Sequence, residues 1–153
     1  MEETCKQIVN KLIETNKTIS FMESCTGGFL ANKITNISGA SNVLKVSLVT
    51  YSNEYKTKFG VDKNVIENYT VYSKETSNEM AKKVSEFAKS DIGVGVTGEL
   101  GNTTNKEQKV YYTIYLAKEQ KCIDKTITIQ ENTREKMKEE VAQYIFKDIL
   151  ENL

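Results

Sequence analysis

The segment with the most chemical potential in this chain is Glu23-Ser24-Cys25-Thr26-Gly27-Gly28, which separates a strand-like run from a helix-like one. At the start of a helix, unpaired backbone N–H groups and the positive end of the helix dipole can hold a phosphate or a developing oxyanion. Two glycines let a ligand approach the backbone, and Ser24 or Cys25 stands where a nucleophile would. The same pattern also serves as a plain helix cap. The spacing of a P-loop is absent, as is a Gly-x-Gly-x-x-Gly fingerprint.

A serine nucleophile needs a base, and this 153-residue chain contains no His. Ser-His-Asp hydrolysis, Cys-His proteolysis and most zinc sites are thereby excluded. A Lys kept neutral by desolvation, with a Tyr or Ser hydroxyl relaying protons, can do the same work. Thr50-Tyr51-Ser52-Asn53-Glu54-Tyr55-Lys56 offers both partners at a strand-to-helix junction, although spacing alone does not single out Lys56 from the other lysines. Cys25 at a helix start is a second nucleophile to consider, against the commoner fate of a buried, inert thiol. Gly93-Val94-Gly95-Val96-Thr97-Gly98 implies either close approach of a ligand or a neighbouring strand to the backbone, or a tightly packed central strand and turn. Arg134 is the single arginine among 21 basic residues, which makes it a candidate for bidentate anion binding.

Positioning these residues requires alternating elements. Cys5, Ile8, Val9, Leu12 and Ile13 predict an amphipathic helix over 3–16, and Thr18 to Glu23 a strand. Phe29, Leu30, Ile34 and Ile37 mark a second helix, and Val43 to Tyr51 a second strand. Ser52 caps a short helix ending near Gly60, and another turn or two follows from Asp62 to Tyr69. Ser73 starts a longer helix whose inner face is Met80, Val84, Phe87 and Ala88. Ile92 to Thr97 reads as a strand, and Lys109–Ala117 with Cys122–Gln130 as an antiparallel hairpin. A last helix runs over 133–153 on Met137, Val141, Tyr144, Ile145 and Ile149. The expected fold class is α/β, a three-layer α/β/α sandwich with a mixed, mostly parallel sheet, formed by residues 1–153 as one domain. Ligands in such sheets bind at the carboxyl ends of strands, where three polar loops fall, at 23–28, 50–56 and 97–105.

Lys plus Arg and Asp plus Glu are equal at 21 each, so no global field favours nucleic acid. Three scattered Cys, no leader and no apolar run near ~20 residues imply a reduced, cytoplasmic protein away from membranes.

Taken in order, Glu-Ser-Cys-Thr-Gly-Gly at 23–28, Thr-Tyr-Ser-Asn-Glu-x-Lys at 50–56, Val-x-Ser at 71–73 before Glu79-Met80-Ala81, and Gly95-Val96-Thr97-Gly98 resemble the C-terminal domain of the competence-damage-inducible CinA proteins. That family includes stand-alone nicotinamide-nucleotide amidases. The resemblance implies deamidation of nicotinamide mononucleotide to nicotinate mononucleotide and ammonia, with no metal or cofactor. Carried over by position, it makes Ser24 the nucleophile, Lys56 its base and Tyr51 the proton relay. Thr26, Gly27, Gly28, Thr97, Gly98 and Arg134 become substrate-binding residues, with Arg134 toward the phosphate. The family's Ile-Ala-Gly-Pro is replaced here by Glu99-Leu100-Gly101-Asn102, and a bulky Tyr stands where its next strand has Gly. An altered 98–105 loop leaves a second reading open, that of a catalytically silent nucleotide- or protein-binding module. Tyr111, Tyr112 and Tyr115 leave room for a homodimer.

Overall fold

The computed structural model describes residues 1–101 and 107–153; Asn102 to Asn105 of the expected specificity loop lie outside them. The elements run α1 (Glu2–Glu14), β1 (Ile19–Glu23), α2 (Phe29–Thr35), a 3-10 turn (Ala40–Asn42), β2 (Leu44–Val49), α3 (Asn53–Lys58) and α4 (Lys63–Tyr69). They continue with α5 (Lys74–Ala88), β3 (Ile92–Gly98), β4 (Glu107–Leu116), β5 (Lys121–Gln130) and α6 (Arg134–Glu151).

Local chemistry sets many of these boundaries. The hydroxyls of Ser52, Ser73 and Thr133 and the carboxylate of Asp62 each accept a first-turn N–H of the helix that follows, which satisfies donors that no helical carbonyl reaches.

The five strands form one sheet in the order β2-β1-β3-β4-β5. β1 is parallel to β2 and β3, whereas β4 is antiparallel to β3 and β5. The sheet is therefore mixed, parallel on one side and antiparallel on the other. α1, α2 and α6 bury their apolar faces on one side in a core built around Ile8, Leu12, Phe21, Leu30, Val94, Val141 and Phe146. α5 covers the other side, where Met22, Val61, Met80 and Val84 cluster. This is the three-layer arrangement the pattern predicts.

Two expectations about the layers need correction. Gly93 and Gly95 of β3 make room for a helix rather than for a strand or a ligand, as a tightly packed central strand would. A side chain at Gly93 would collide with the carbonyl of Ala81, and one at Gly95 with the backbone of Ser77 and Ala81. α5 accordingly rests on Thr76, Ser77, Met80, Ala81, Val84 and Ser85, and Phe87 is exposed, in a T-shaped contact with Phe59 at 5.7 Å between ring centroids. On α6, Tyr144 is likewise exposed while Ala142 and Phe146 take the inner face.

The topology brings the polar loops together. The carboxyl ends of β1, β2 and β3 share one end of the sheet, and the antiparallel hairpin carries the chain away and back, so that α6 begins at that same end.

Candidate active site

At the carboxyl end of β1, Glu23 is fully buried and its carboxylate is surrounded by donors. It accepts from Thr26 Oγ1 at 2.7 Å, from the backbone N–H groups of Gly28, Leu30 and Ala31 at 3.0–3.1 Å, and from Ser47 Oγ at 3.3 Å. An internal carboxylate thus occupies the start of α2, the place where an anionic ligand was expected. Thr26, Gly27 and Gly28 belong to this cap: the Thr26 hydroxyl and the Gly28 N–H serve Glu23, and the Gly27 N–H closes a turn on the Ser24 carbonyl at 3.0 Å. Gly27 and Gly28, at φ of +60° and +93°, supply the left-handed backbone that the turn requires. None of the three lines the cavity described below. These three residues build the turn rather than the described cavity wall.

Ser24 is held at the end of the strand by its N–H, which donates to Val96 O at 3.1 Å. Its Oγ lies 3.0 Å from Lys56 Nζ. Lys56 projects inward from α3 and is 1% exposed, with its Nζ also donating to Thr50 O at 2.7 Å and Tyr51 O at 3.4 Å. No carboxylate is among these partners. Burial disfavours the charged ammonium, and the Lys56 pKa falls from 10.5 to about 8. That displacement corresponds to about 3 kcal/mol in favour of the neutral amine. The Cys25 thiol is moved the opposite way by the same cause, to about 12, which keeps it protonated and weakly nucleophilic at neutral pH.

Ser24, Cys25 and Lys56 open into a cavity of about 260 Å³ whose walls come from four parts of the chain. Tyr51 and Asn53 border it from the β2–α3 junction, Val71 and Tyr72 from the segment before α5, Gly98 to Gly101 from the end of β3, and Arg134 and Lys138 from α6. Tyr51 is 67% exposed at the mouth, and its contact with Lys56 is through its carbonyl. Gly98 lines the cavity, but a side chain there would also press on the β4 backbone, 2.8 Å from Lys109 O. Thr97 does not line it. Its hydroxyl is turned to the Val71 carbonyl at 2.9 Å, where it fixes the wall carrying Tyr72. Among the described residues, no group of three or more Cys, Asp or Glu is placed to hold a metal ion.

The structure therefore brings together Ser24, Lys56, Tyr51, Gly98 and Arg134, and removes Thr26, Gly27, Gly28 and Thr97 to supporting positions. Sequence reasoning missed Tyr72, Lys138 and the capping role of Glu23. For Lys138 a signal existed: it stands four residues after Arg134, on the same helical face.

With this geometry in place, the match to known proteins is direct. The family model described as CinA C-terminal domain matches residues 1–153. The chain belongs to the CinA C-terminal domain family. A CinA-like protein of Petrotoga mobilis is 47% identical over 105 residues, which is 68% of this chain and 26% of that protein. Another CinA-like protein, from Kosmotoga olearia, is 42% identical over 117 residues, or 75% of this chain and 28% of that protein. This CinA domain thus spans little more than a quarter of the length of these relatives. Among solved structures, the competence/damage inducible protein CihA from Agrobacterium tumefaciens superposes with a TM-score of 0.89 at 22% identity, covering 97% of this chain and 93% of that one. At that identity the likeness establishes the CinA fold alone.

No helix among the described residues is long and apolar enough to cross a membrane.

Proposed function

We propose that this CinA domain is an amidohydrolase that converts nicotinamide mononucleotide to nicotinate mononucleotide and ammonia, with Ser24 as nucleophile, Lys56 as general base and Tyr51 as proton relay. The observation that carries the reading is the 3.0 Å contact between Ser24 Oγ and an almost wholly buried Lys56 Nζ. A base within hydrogen-bond reach of the nucleophile, with a pKa near the working pH, is what general-base catalysis requires.

In this mechanism, neutral Lys56 takes the Ser24 proton as Oγ attacks the carboxamide carbon. The carbonyls of Thr50 and Tyr51 hold Nζ in place for that step. The N–H groups of Gly27, Gly28, Leu30 and Ala31 are consumed by the turn and its cap, so the tetrahedral oxyanion falls to the N–H of Cys25, which borders the cavity beside Ser24. Protonated Lys56, assisted by the Tyr51 hydroxyl at the cavity mouth, returns the proton to the departing nitrogen, and ammonia leaves. Water, deprotonated by the same amine, then cleaves the ester to Ser24 and releases the carboxylate product. Arg134 lines the same cavity and is available to the phosphate.

Purified protein incubated with nicotinamide mononucleotide should release ammonia, and Ser24→Ala and Lys56→Ala should each lower the rate by at least 10²-fold, the scale at which loss of a single oxyanion donor acts. Undiminished turnover in either variant contradicts the mechanism. Thermal stabilisation by the mononucleotide without any ammonia identifies a silent binding module instead.

A further inference from the structure

We propose that Lys138 is the second arm of a phosphate clamp whose first arm is Arg134, and that the anionic end of the substrate is therefore held by α6. For the identity of the substrate this rests on the amidase reading above; the anion site itself stands on separate observations.

Arg134 and Lys138 are one helical turn apart, and both line the cavity that Ser24 and Lys56 enter. Their head groups reach across it. A Cβ added at Gly101 would lie 2.5 Å from Arg134 Nε, and one added at Gly27 would lie 3.2 Å from Lys138 Nζ. The guanidinium therefore rests on the loop after β3, and the ammonium on the turn that follows Ser24. Lys138 is half-buried there. Among the described residues, none of the ion pairs involves either side chain. Two cations thus converge on one polar cavity whose described lining includes a single carboxylate, that of Glu99.

The alternative place for a phosphate, the start of α2, is closed. Three of its N–H groups already point at the Glu23 carboxylate, and a second anion beside that buried charge would be repelled. Glu99 also lines the cavity, on the β3 loop, which leaves α6 as the positive wall. A phosphomonoester between Arg134 and Lys138 receives a bidentate planar donor and a compact point charge, a combination suited to a dianion.

The test compares nicotinamide mononucleotide with nicotinamide riboside, which carries the same amide and lacks the phosphate. Lys138→Met should lower kcat/KM for the mononucleotide by about 10- to 100-fold, the range for a charge-assisted hydrogen bond, and the loss should reside in KM. Hydrolysis of the riboside should stay within about twofold, and Lys138→Arg should recover most of the loss. Equal losses on both substrates, or no loss on either, overturn the clamp. If neither substrate yields ammonia from the unaltered protein, the amidase reading fails and binding decides the clamp. Mononucleotide affinity of the Ser24→Ala protein, measured by calorimetry, should then still weaken by about tenfold or more on adding Lys138→Met; an unchanged Kd overturns the proposal.

Discussion

Lys56 Nζ lies 3.0 Å from Ser24 Oγ and 2.7 Å from the Thr50 carbonyl. A protonated amine would be well satisfied by those acceptors, and only its burial opposes the charge. Activity should therefore rise with pH as the amine loses its proton. A log plot of kcat/KM for ammonia release should climb with unit slope below about 8 and level off above it. A profile that is flat from about 6 to 9 contradicts a base with this pKa.

The same burial shapes stability. Because the Lys56 pKa is lowered from 10.5 to about 8 by folding, the cost of burying the ammonium is fully present below about 8. Between those values the unfolded chain holds more protons than the folded one, so this group's contribution becomes more favourable as pH rises. Lys56→Met removes the titration. The melting temperature of the variant relative to the parent should be higher at pH 7 than at pH 10, by about 5 °C or more on the scale of a domain this size. A pH-independent difference contradicts a buried, titrating amine.

Cys25 adjoins Ser24, the proposed nucleophile, and borders the cavity, yet its thiol is pushed up to about 12. Cys25→Ala should keep amidase activity within about threefold, reflecting only a small packing loss. Iodoacetamide at pH 7.5 should leave the parent protein active over an incubation that alkylates an ordinary surface thiol. Loss of activity at the level of Ser24→Ala would transfer the nucleophile's role to sulfur.

Glu23→Gln tests the internal cap. The carboxylate accepts five hydrogen bonds, and an amide would turn an NH2 group toward at least one of the donors. A loss of about 1–3 kcal/mol in unfolding free energy, measured by denaturant titration, is the expected cost. Equal stability of the variant would mean that the cap contributes little to holding the Ser24 turn.

The parts of the fold visible in the sequence are those governed by short-range rules. Ser52, Asp62, Ser73 and Thr133 announce their helices because a side-chain oxygen reaches an N–H two or three residues on, and Gly60 stops α3 with a φ of +100°. Ser24 and Lys56 were legible through two motifs, each local in sequence, but their 3.0 Å meeting depends on β1 and β2 lying side by side. Phe87 and Tyr144 were misplaced because helical periodicity specifies a face only approximately. Which residues of α5 go inward is decided by where Gly93 and Gly95 admit its backbone. Glu23 reads as one more acidic residue until its five donors gather around it. Tyr72 enters the cavity from the unspecified middle position of Val-x-Ser at 71–73, and Lys138 from one helical turn beyond Arg134.

The β4–β5 hairpin also separates the molecule into a reactive end and an inert one. Its turn, Ala117 to Gln120, follows Leu116, which pairs with Ile92 at the opening of β3. Val110, the partner of Gly98, lies six residues before Leu116, which places that turn about 20 Å from the Gly98 end of the sheet. A fluorophore, affinity peptide or surface tether grafted at 118–119 would report on or immobilise the protein while leaving the mouth around Tyr51 and Tyr72 open to solvent.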